Sequence, residues 1–185
     1  MIHDGWAPYD QFTHARHQQC LAHLLRRCRE LLETATRGAV RFPRQIQAWL
    51  QTALRLRDRF HARQISAHGL AVARGRLHGQ LLDSLLSRKT DVANERFARH
   101  LWNHRDHLLT FLTTPGVDAT NWRAEQSLRP AVVNRKVWGG NRTSVGSHAQ
   151  AILASVLQTC RQQGRDALDV LSQTLRNLPA AAPAG

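Results

Sequence analysis

The chain has 185 residues, enough for one domain or slightly more, and its 26 Lys+Arg against 13 Asp+Glu give a formal net charge of +13. Only two of the basic residues are lysines, Lys89 and Lys136, so arginine carries nearly all of the positive charge. A hydrophobic content of 42% excludes general disorder. The sequence has no run of 18 apolar residues and no signal-peptide pattern at its start, so we expect a soluble cytoplasmic protein with no membrane partner.

The excess of arginine favours a polyanionic partner. Nucleic acid is the leading candidate, because the planar guanidinium meets a phosphate with two hydrogen bonds. Two alternatives stay open: an arginine-rich proteome, which explains the ratio of Arg to Lys but not the excess of base over acid, and an anionic membrane surface. Three cysteines do not make a disulfide framework.

A mainly helical region is predicted at about 30–115, between two segments rich in turns and polar residues. Asp4-Gly5 is a turn dipeptide, and a short strand is indicated from Arg16 to Cys20. Apolar residues at spacings of three and four then mark helices, separated by Gly and Pro. The predicted helices are Leu21–Thr36, one from Pro43 to about His61, one marked by Leu77–Leu86, and a long one capped by Asp91 that carries Phe97, Leu101, His104, Leu108 and Phe111.

Thr114-Pro115-Gly116 breaks the chain, and the segment after it is polar with few apolar periods. Thr120 or Asn121 is a suitable N-cap for a helix that Pro130 is expected to limit. Gly139-Gly140-Asn141 predicts a loop. Two further helices are predicted, one with an apolar stripe from Ala149 to Cys160 and, after Gly164, one capped by Asp166 that runs to Leu178.

Two polar segments contain the residues most suited to chemistry. In the first, Glu125 lies early in the predicted helix and Arg129 lies one turn later, which equally describes an ordinary helix with an ion pair four residues apart. In the second, Asn134–Thr143, basic residues, Trp138 and two glycines suit a backbone close to phosphate, with Trp138 stacked on a base. The alternative is a solvated basic turn with Trp138 buried in a core.

These segments, Thr120–Pro130 and Asn134–Arg142, resemble the C-terminal end of a bacterial insertion-sequence transposase of the family named after insertion sequence sixty-six. Near the start, His3–Asp10 resembles the family's segment around its second catalytic acid, and Cys20-Leu21-Ala22-His23 its Cys-x-Ala-His motif. The runs Gln150–Ser155 and Thr159–Arg165 are similar to its closing helices. Trp122 and Gln126 depart from the family's pattern.

The resemblance implies an Asp-Asp-Glu triad on an RNase H-like fold, with Asp4 as the second aspartate and Glu125 as the glutamate. It implies Mg²⁺ or Mn²⁺ as cofactor, held by Asp4 and Glu125, and DNA as partner. The implied DNA-facing residues are Arg129, Arg135, Lys136, Trp138 and Arg142. Without the resemblance, Asp4 is a plain Asp-Gly turn.

Because only three residues precede Asp4, we expect the first aspartate to be missing. The expected fold is therefore mainly α, the incomplete C-terminal half of an RNase H-like α/β catalytic domain with a helical insertion. The expected parts are a core remnant at 1–29, the helical insertion at 30–115, the C-terminal part of the core at 116–178 and a disordered tail at 179–185.

With one carboxylate missing, the metal site should be weak or absent and the chain a truncated, inactive remnant of a DNA transposase. We expect it to associate with the bacterial nucleoid, and homo-oligomer formation is a further hypothesis. The alternative is a non-catalytic DNA-binding or assembly module, and a helical scaffold for a protein partner is a third reading, which predicts no salt-sensitive DNA affinity.

His14, His17, Cys20 and His23 recur every three residues, a composition that suits zinc. A regular strand or helix cannot wrap such a run around one ion, so packing and hydrogen bonding are the favoured roles. Cys28 and Cys160 lie among leucines and are expected in the core.

Overall fold

The computed structural model describes residues 1–177, which form two compact units divided between Asn121 and Trp122. The first unit holds two short strands and four helices, and the second holds three helices. The predicted disordered tail, 179–185, and Leu178 lie outside the described residues. Among the described residues no helix is both long and apolar enough to span a membrane.

The first unit opens with two parallel strands, β1 (Ile2–His3) and β2 (Gln18–Gln19), paired in the register Ile2 with Gln18 and His3 with Gln19. The strand predicted between Arg16 and Cys20 is thus confirmed at its centre. A 3₁₀ turn, Ala7–Gln11, lies between the strands. Parallel strands are usually covered on both faces, and here His3 and both residues of β2 are buried although all three are polar.

Four helices follow β2. They are α1 (Leu21–Thr34), α2 (Arg41–His61), α3 (Ala67–Leu86) and α4 (Val92–Asn103). In sequence order each packs on the next. Their inward faces carry apolar side chains at spacings of three and four, such as Leu21, Leu24, Cys28 and Leu31 on α1, and this pattern gives each helix one buried stripe.

The helix limits agree with the local signals in the sequence. Helix α2 has Pro43 in its first turn and ends at His61, as predicted. At α4 the predicted cap is confirmed, since the Asp91 carboxylate accepts a hydrogen bond from the Asn94 amide at 2.8 Å. The predicted core position of Cys28 is also confirmed, and burial raises the pKa of its thiol to about 12.

The prediction that α4 continues to Phe111 is wrong. The helix ends at Asn103, and the chain goes on in two 3₁₀ turns, Arg105–His107 and Thr110–Leu112. The buried Gln18 side chain takes up the freed backbone groups: its amide donates to the Leu108 carbonyl at 3.1 Å and its oxygen accepts from the Phe111 amide at 2.9 Å. The apolar stripe therefore stays buried while the helix does not continue.

The second unit consists of α5 (Trp122–Trp138), α6 (Ser144–Gln163) and α7 (Ala167–Arg176). The prediction that Pro130 limits its helix is wrong, because α5 continues through Pro130 to Trp138. Proline lacks an amide hydrogen, so this continuation costs α5 one internal hydrogen bond.

The later turns of the second unit follow their predicted signals. Gly139 and Gly140 both have positive φ, 78° and 84°, in the predicted loop. Gly164 ends α6 in the left-handed conformation, and the Asp166 carboxylate caps α7. Helix α6 packs on α7 and Cys160 is buried. Many of the apolar side chains of these two helices are exposed, however, such as Leu153 on α6 at 50% and Leu168 on α7 at 74%.

Candidate functional site

Asp4 lies directly after β1 and is exposed to solvent. One oxygen of its carboxylate accepts a hydrogen bond from the Trp6 amide at 3.1 Å, which is the Asx-turn geometry. This confirms the predicted turn at Asp4-Gly5. The turn holds the carboxylate at the end of a buried strand while leaving its second oxygen available for an external ligand.

Gly5 is required by both conformation and space. Its φ is +89°, and a Cβ placed on it would lie 2.7 Å from Cε1 of His100 and 2.9 Å from Oε1 of Gln19. A side chain at this position would therefore need a left-handed backbone and displacement of a neighbouring ring. The turn that carries Asp4 is consequently packed tightly against α4 and β2.

A chain of hydrogen bonds through two histidines also fixes the Asp4-Gly5 turn. The Gly5 amide donates to Nδ1 of His3 at 3.2 Å, Nε2 of His3 lies 3.0 Å from Nδ1 of His17, and Nε2 of His17 lies 2.9 Å from the Phe12 carbonyl. Because a carbonyl only accepts, His17 carries its proton on Nε2, so His3 donates to His17 through its own Nε2. Both rings are neutral in this arrangement. Burial, followed by the neighbouring His17, lowers the pKa of His3.

The predicted packing and hydrogen-bonding role is confirmed for His17 and Cys20, which are both buried. His14, by contrast, is exposed. Within residues 1–177 no group of three or more His, Cys, Asp or Glu side chains is arranged to hold a metal ion. The sequence pattern singled out His17 but missed its partner His3, because the two are joined only by strand pairing.

A pocket of about 430 Å³ opens beside Asp4 between α1 and α4. Its charged lining is formed by Asp4, Glu30 and three arginines, Arg26, Arg27 and Arg96. Sequence reasoning did not select these arginines, because each occupies the exposed face of a helix and no local motif distinguishes it from its neighbours. The folded chain places residues of α1 and α4 in one pocket with Asp4.

His100 also lines this pocket, on the side of α4. Burial lowers the pKa of His100, with further lowering by His104 and Arg27 and an opposing effect of Asp10. The imidazole is therefore neutral near pH 7 and adds no charge to the pocket.

The segment that leads to Glu125 is fixed at the start of α1. The Leu21 amide donates to the Ala119 carbonyl at 2.9 Å, and the Asn121 amide donates to Sγ of Cys20 at 3.5 Å. Asp118 pairs with Arg57 at 3.8 Å. Residues 118–121 are thus part of the first unit and run beside the end of β2.

Glu125 lies in the first turn of α5 and is exposed. An acidic side chain is favoured there by the partial positive charge of the helix N-terminus. Asp4 belongs to the first unit, and Glu125 belongs to the second with all five predicted DNA-facing residues. Each of those five is exposed, and they lie on α5 and the loop after it: Arg129, Arg135, Lys136, Trp138 and Arg142.

Trp138 is 49% exposed, so the alternative that it is buried in a core is wrong. Its ring stands at the C-terminal end of α5, next to Gly139 and Gly140. An exposed indole beside basic residues is suited to stacking on a base.

Comparison with known proteins gives one family. The family model described as Transposase IS66 family matches residues 1–149 of this chain. The uncharacterized protein y4qI of Sinorhizobium fredii (strain NBRC 101917 / NGR234) is 34% identical over 88 residues, which are 46% of this chain and 16% of that protein. The chain therefore matches only a small part of the length of that relative. No solved structure matches the chain significantly.

Proposed function

The chain belongs to the IS66 transposase family, and on that premise we propose that it acts in DNA transposition, the cleavage and joining of DNA phosphodiester bonds. The observation that carries the proposal is the Asp4 turn. An exposed carboxylate is held at the end of a buried parallel strand, in a pocket whose other charged groups are mostly arginines. Such a pocket accommodates an anionic backbone and keeps an oxygen ligand next to it.

We propose Asp4 and Glu125 as catalytic acids and ligands of Mg²⁺ or Mn²⁺. Carboxylate oxygen is the ligand that hard cations prefer, and Mg²⁺ is commonly held by one or two carboxylates together with substrate phosphates and water. A bound pair of such ions supplies activation of the attacking oxygen and stabilisation of the leaving oxygen in phosphodiester transfer. The role of the chain itself is to orient the carboxylates, which the hydrogen bond from the Trp6 amide does for Asp4.

We propose further that the basic side chains of α5 and its following loop contact DNA. All of them are exposed, and the net charge of +13 favours the approach of a polyanion. Arginine and lysine there would contact phosphates, while Trp138 would stack on a base.

The strand pair and the helix after it support an RNase H-like core. Strands β1 and β2 are parallel, and α1 follows β2 directly. In this proposal residues 1–29 and 116–178 belong to the core, and 30–115, which contain α2, α3 and α4, are a helical insertion.

The two identified acids are fewer than the triad requires. We therefore propose that these two acids alone bind divalent ions weakly and that DNA cleavage requires a further carboxylate. A second function is that of a non-catalytic DNA-binding or assembly module, which the net charge of +13 favours. The two functions differ in whether metal binding depends on the two acids.

Titration with Mn²⁺, followed by electron paramagnetic resonance of the free ion, tests the metal role. We expect weak binding that is reduced in Asp4→Asn and in Glu125→Gln. The matched controls are Asp83→Asn and Glu33→Gln, which remove exposed acids elsewhere in the first unit. Binding that the two site variants leave unchanged would contradict the metal role and leave the DNA-binding module.

Two further measurements complete the test. DNA affinity should fall steeply with salt, since released counterions drive binding to phosphate, and a flat response would instead favour a protein scaffold. Metal-dependent nicking of DNA by the 185-residue chain that disappears in Glu125→Ala would contradict the need for a further carboxylate.

A further inference from the structure

The pocket beside Asp4 contains more positive charge than its own carboxylates neutralise. Arg26 and Arg27 lie on α1, and Arg96 lies on α4. These three guanidinium groups face two carboxylates, Asp4 and Glu30. The buried side chains of Leu24 and Phe97 also contribute to the lining and give the pocket a rigid apolar base.

Pairing within the pocket is incomplete. Arg27 forms an ion pair with Glu30 at 3.2 Å, three residues along the same helix. Among residues 1–177, neither Arg26 nor Arg96 forms a salt bridge. Within the same residues, the only hydrogen bond to the Asp4 side chain comes from the Trp6 amide. Two arginines and one carboxylate thus share a pocket without pairing to each other, which leaves both kinds of group available to a ligand.

A phosphodiester satisfies the arginines directly and satisfies Asp4 through a divalent ion. Its non-bridging oxygens accept hydrogen bonds from the planar guanidinium fork. The same oxygens are the customary further ligands of a divalent ion that one carboxylate holds. A divalent ion without an anionic ligand would be opposed by the neighbouring guanidinium groups, and a phosphate that contacts both the ion and the arginines offsets this repulsion.

We propose that Arg26 and Arg96 bind a backbone phosphate of a DNA strand next to Asp4, an inference that rests on the proposed function in DNA transposition. Arg96 is a positioning residue in the proposed helical insertion. If it binds the phosphate, the insertion takes part in holding the DNA. The proposed phosphate contact belongs to the first unit, whereas the basic residues of α5 belong to the second.

The test is fluorescence anisotropy of a labelled DNA duplex with the full chain over a series of salt concentrations, in the presence of a chelator. Arg26→Gln and Arg96→Gln should each weaken binding about tenfold, the size of one lost charge-assisted contact. Together, in the double variant, the two substitutions should reduce the slope of log affinity against log salt by about 0.9, the share of one phosphate. Arg29→Gln on α1 and Arg99→Gln on α4 are matched controls, exposed arginines outside the pocket, and should change affinity less than twofold.

A fork-dependent contact predicts that Arg96→Lys recovers only part of the affinity, since lysine keeps the charge and loses the second hydrogen bond. Unchanged thermal unfolding midpoints are expected, because both arginines are exposed. Equal losses in pocket variants and controls would overturn the inference, since they would reflect net charge alone. An acidic peptide that binds as tightly as DNA, with the same dependence on Arg26 and Arg96, would overturn the assignment to phosphate.

The result is distinguishable from failure of the proposed metal role. In chelator, Asp4→Asn should keep or tighten DNA binding, because it removes a negative charge from the pocket. Loss of affinity in the arginine variants without acid-dependent Mn²⁺ binding would support the phosphate contact and contradict the metal role. Mn²⁺ binding that depends on the two acids, together with unchanged DNA affinity in the arginine variants, would support the metal role and contradict the phosphate contact.

Discussion

Gly5→Ala is the substitution whose effect the structure defines most closely. Gly5 has a φ of +89°, and the added Cβ would lie 2.7 Å from Cε1 of His100. The left-handed backbone costs an L-residue roughly 1–2 kcal/mol, and forcing a carbon into packed surroundings adds about 1–3 kcal/mol. The expected loss in free energy of unfolding is therefore about 2–5 kcal/mol, a large part of the stability of a typical domain.

Two other glycines separate these contributions. Gly116 has a φ of +76° with open space around it, so Gly116→Ala should show only the backbone cost of about 1–2 kcal/mol. Gly79 lies inside α3, also in open space, and Gly79→Ala should stabilise by about 0.5–1 kcal/mol. Urea denaturation followed by circular dichroism gives all three values on one scale.

The steric share has its own check in a double-mutant cycle. His100→Ala removes the ring that the new Cβ meets, so Gly5→Ala should cost less in that background than in the native chain. A loss for Gly5→Ala no larger than the loss for Gly116→Ala would refute the steric contribution. Additive effects of Gly5→Ala and His100→Ala would refute it as well.

Three further outcomes follow from burial and hydrogen bonding. Burial lowers the pKa of three histidines of the first unit: His3, His100 and His107. The unfolded chain binds protons on these histidines more readily, so their contribution to stability is complete above the ordinary pKa of 6.5 and is lost as the pH falls below it. The midpoint of unfolding should therefore be lower at pH 5.5 than at pH 7.5. A midpoint that is constant or higher at pH 5.5 would contradict this direction. Trp49→Phe removes the hydrogen bond from the indole to the Leu77 carbonyl at 2.8 Å and should cost about 1–2 kcal/mol in urea denaturation, with no loss arguing against that contact. Because burial raises the pKa of the Cys28 thiol to about 12, its reaction with a thiol reagent at pH 8 should be limited by unfolding, and rapid labelling of the native chain would show otherwise.

Local signals explain most of what could be predicted. A helix limit depends on a few adjacent residues, so the caps at Asp91 and Asp166 and the left-handed end at Gly164 followed from the sequence. The Asp4-Gly5 turn is equally local. The motifs around Asp4 and Glu125 also sufficed to indicate the family, which the match over residues 1–149 shows.

The wrong predictions arose where distant groups outweigh local preference. The apolar spacing continues past Asn103, yet α4 ends there because Gln18, far away in sequence, bonds to the backbone at Leu108 and Phe111. Pro130 was expected to limit its helix, and α5 passes through it. Periodicity describes which side of a segment is buried, and it does not reveal which backbone groups a remote side chain will satisfy.

The sequence by itself determined the basic character, the helical composition and the positions of the main caps, and it indicated the family. The tertiary structure decided that His3 bonds to His17 and that Arg26, Arg96 and Asp4 line one pocket. The physical reason is that helix periodicity and capping act over a few residues, whereas these groupings depend on strand pairing and on the packing of α4 near α1, which bring together residues far apart in the chain.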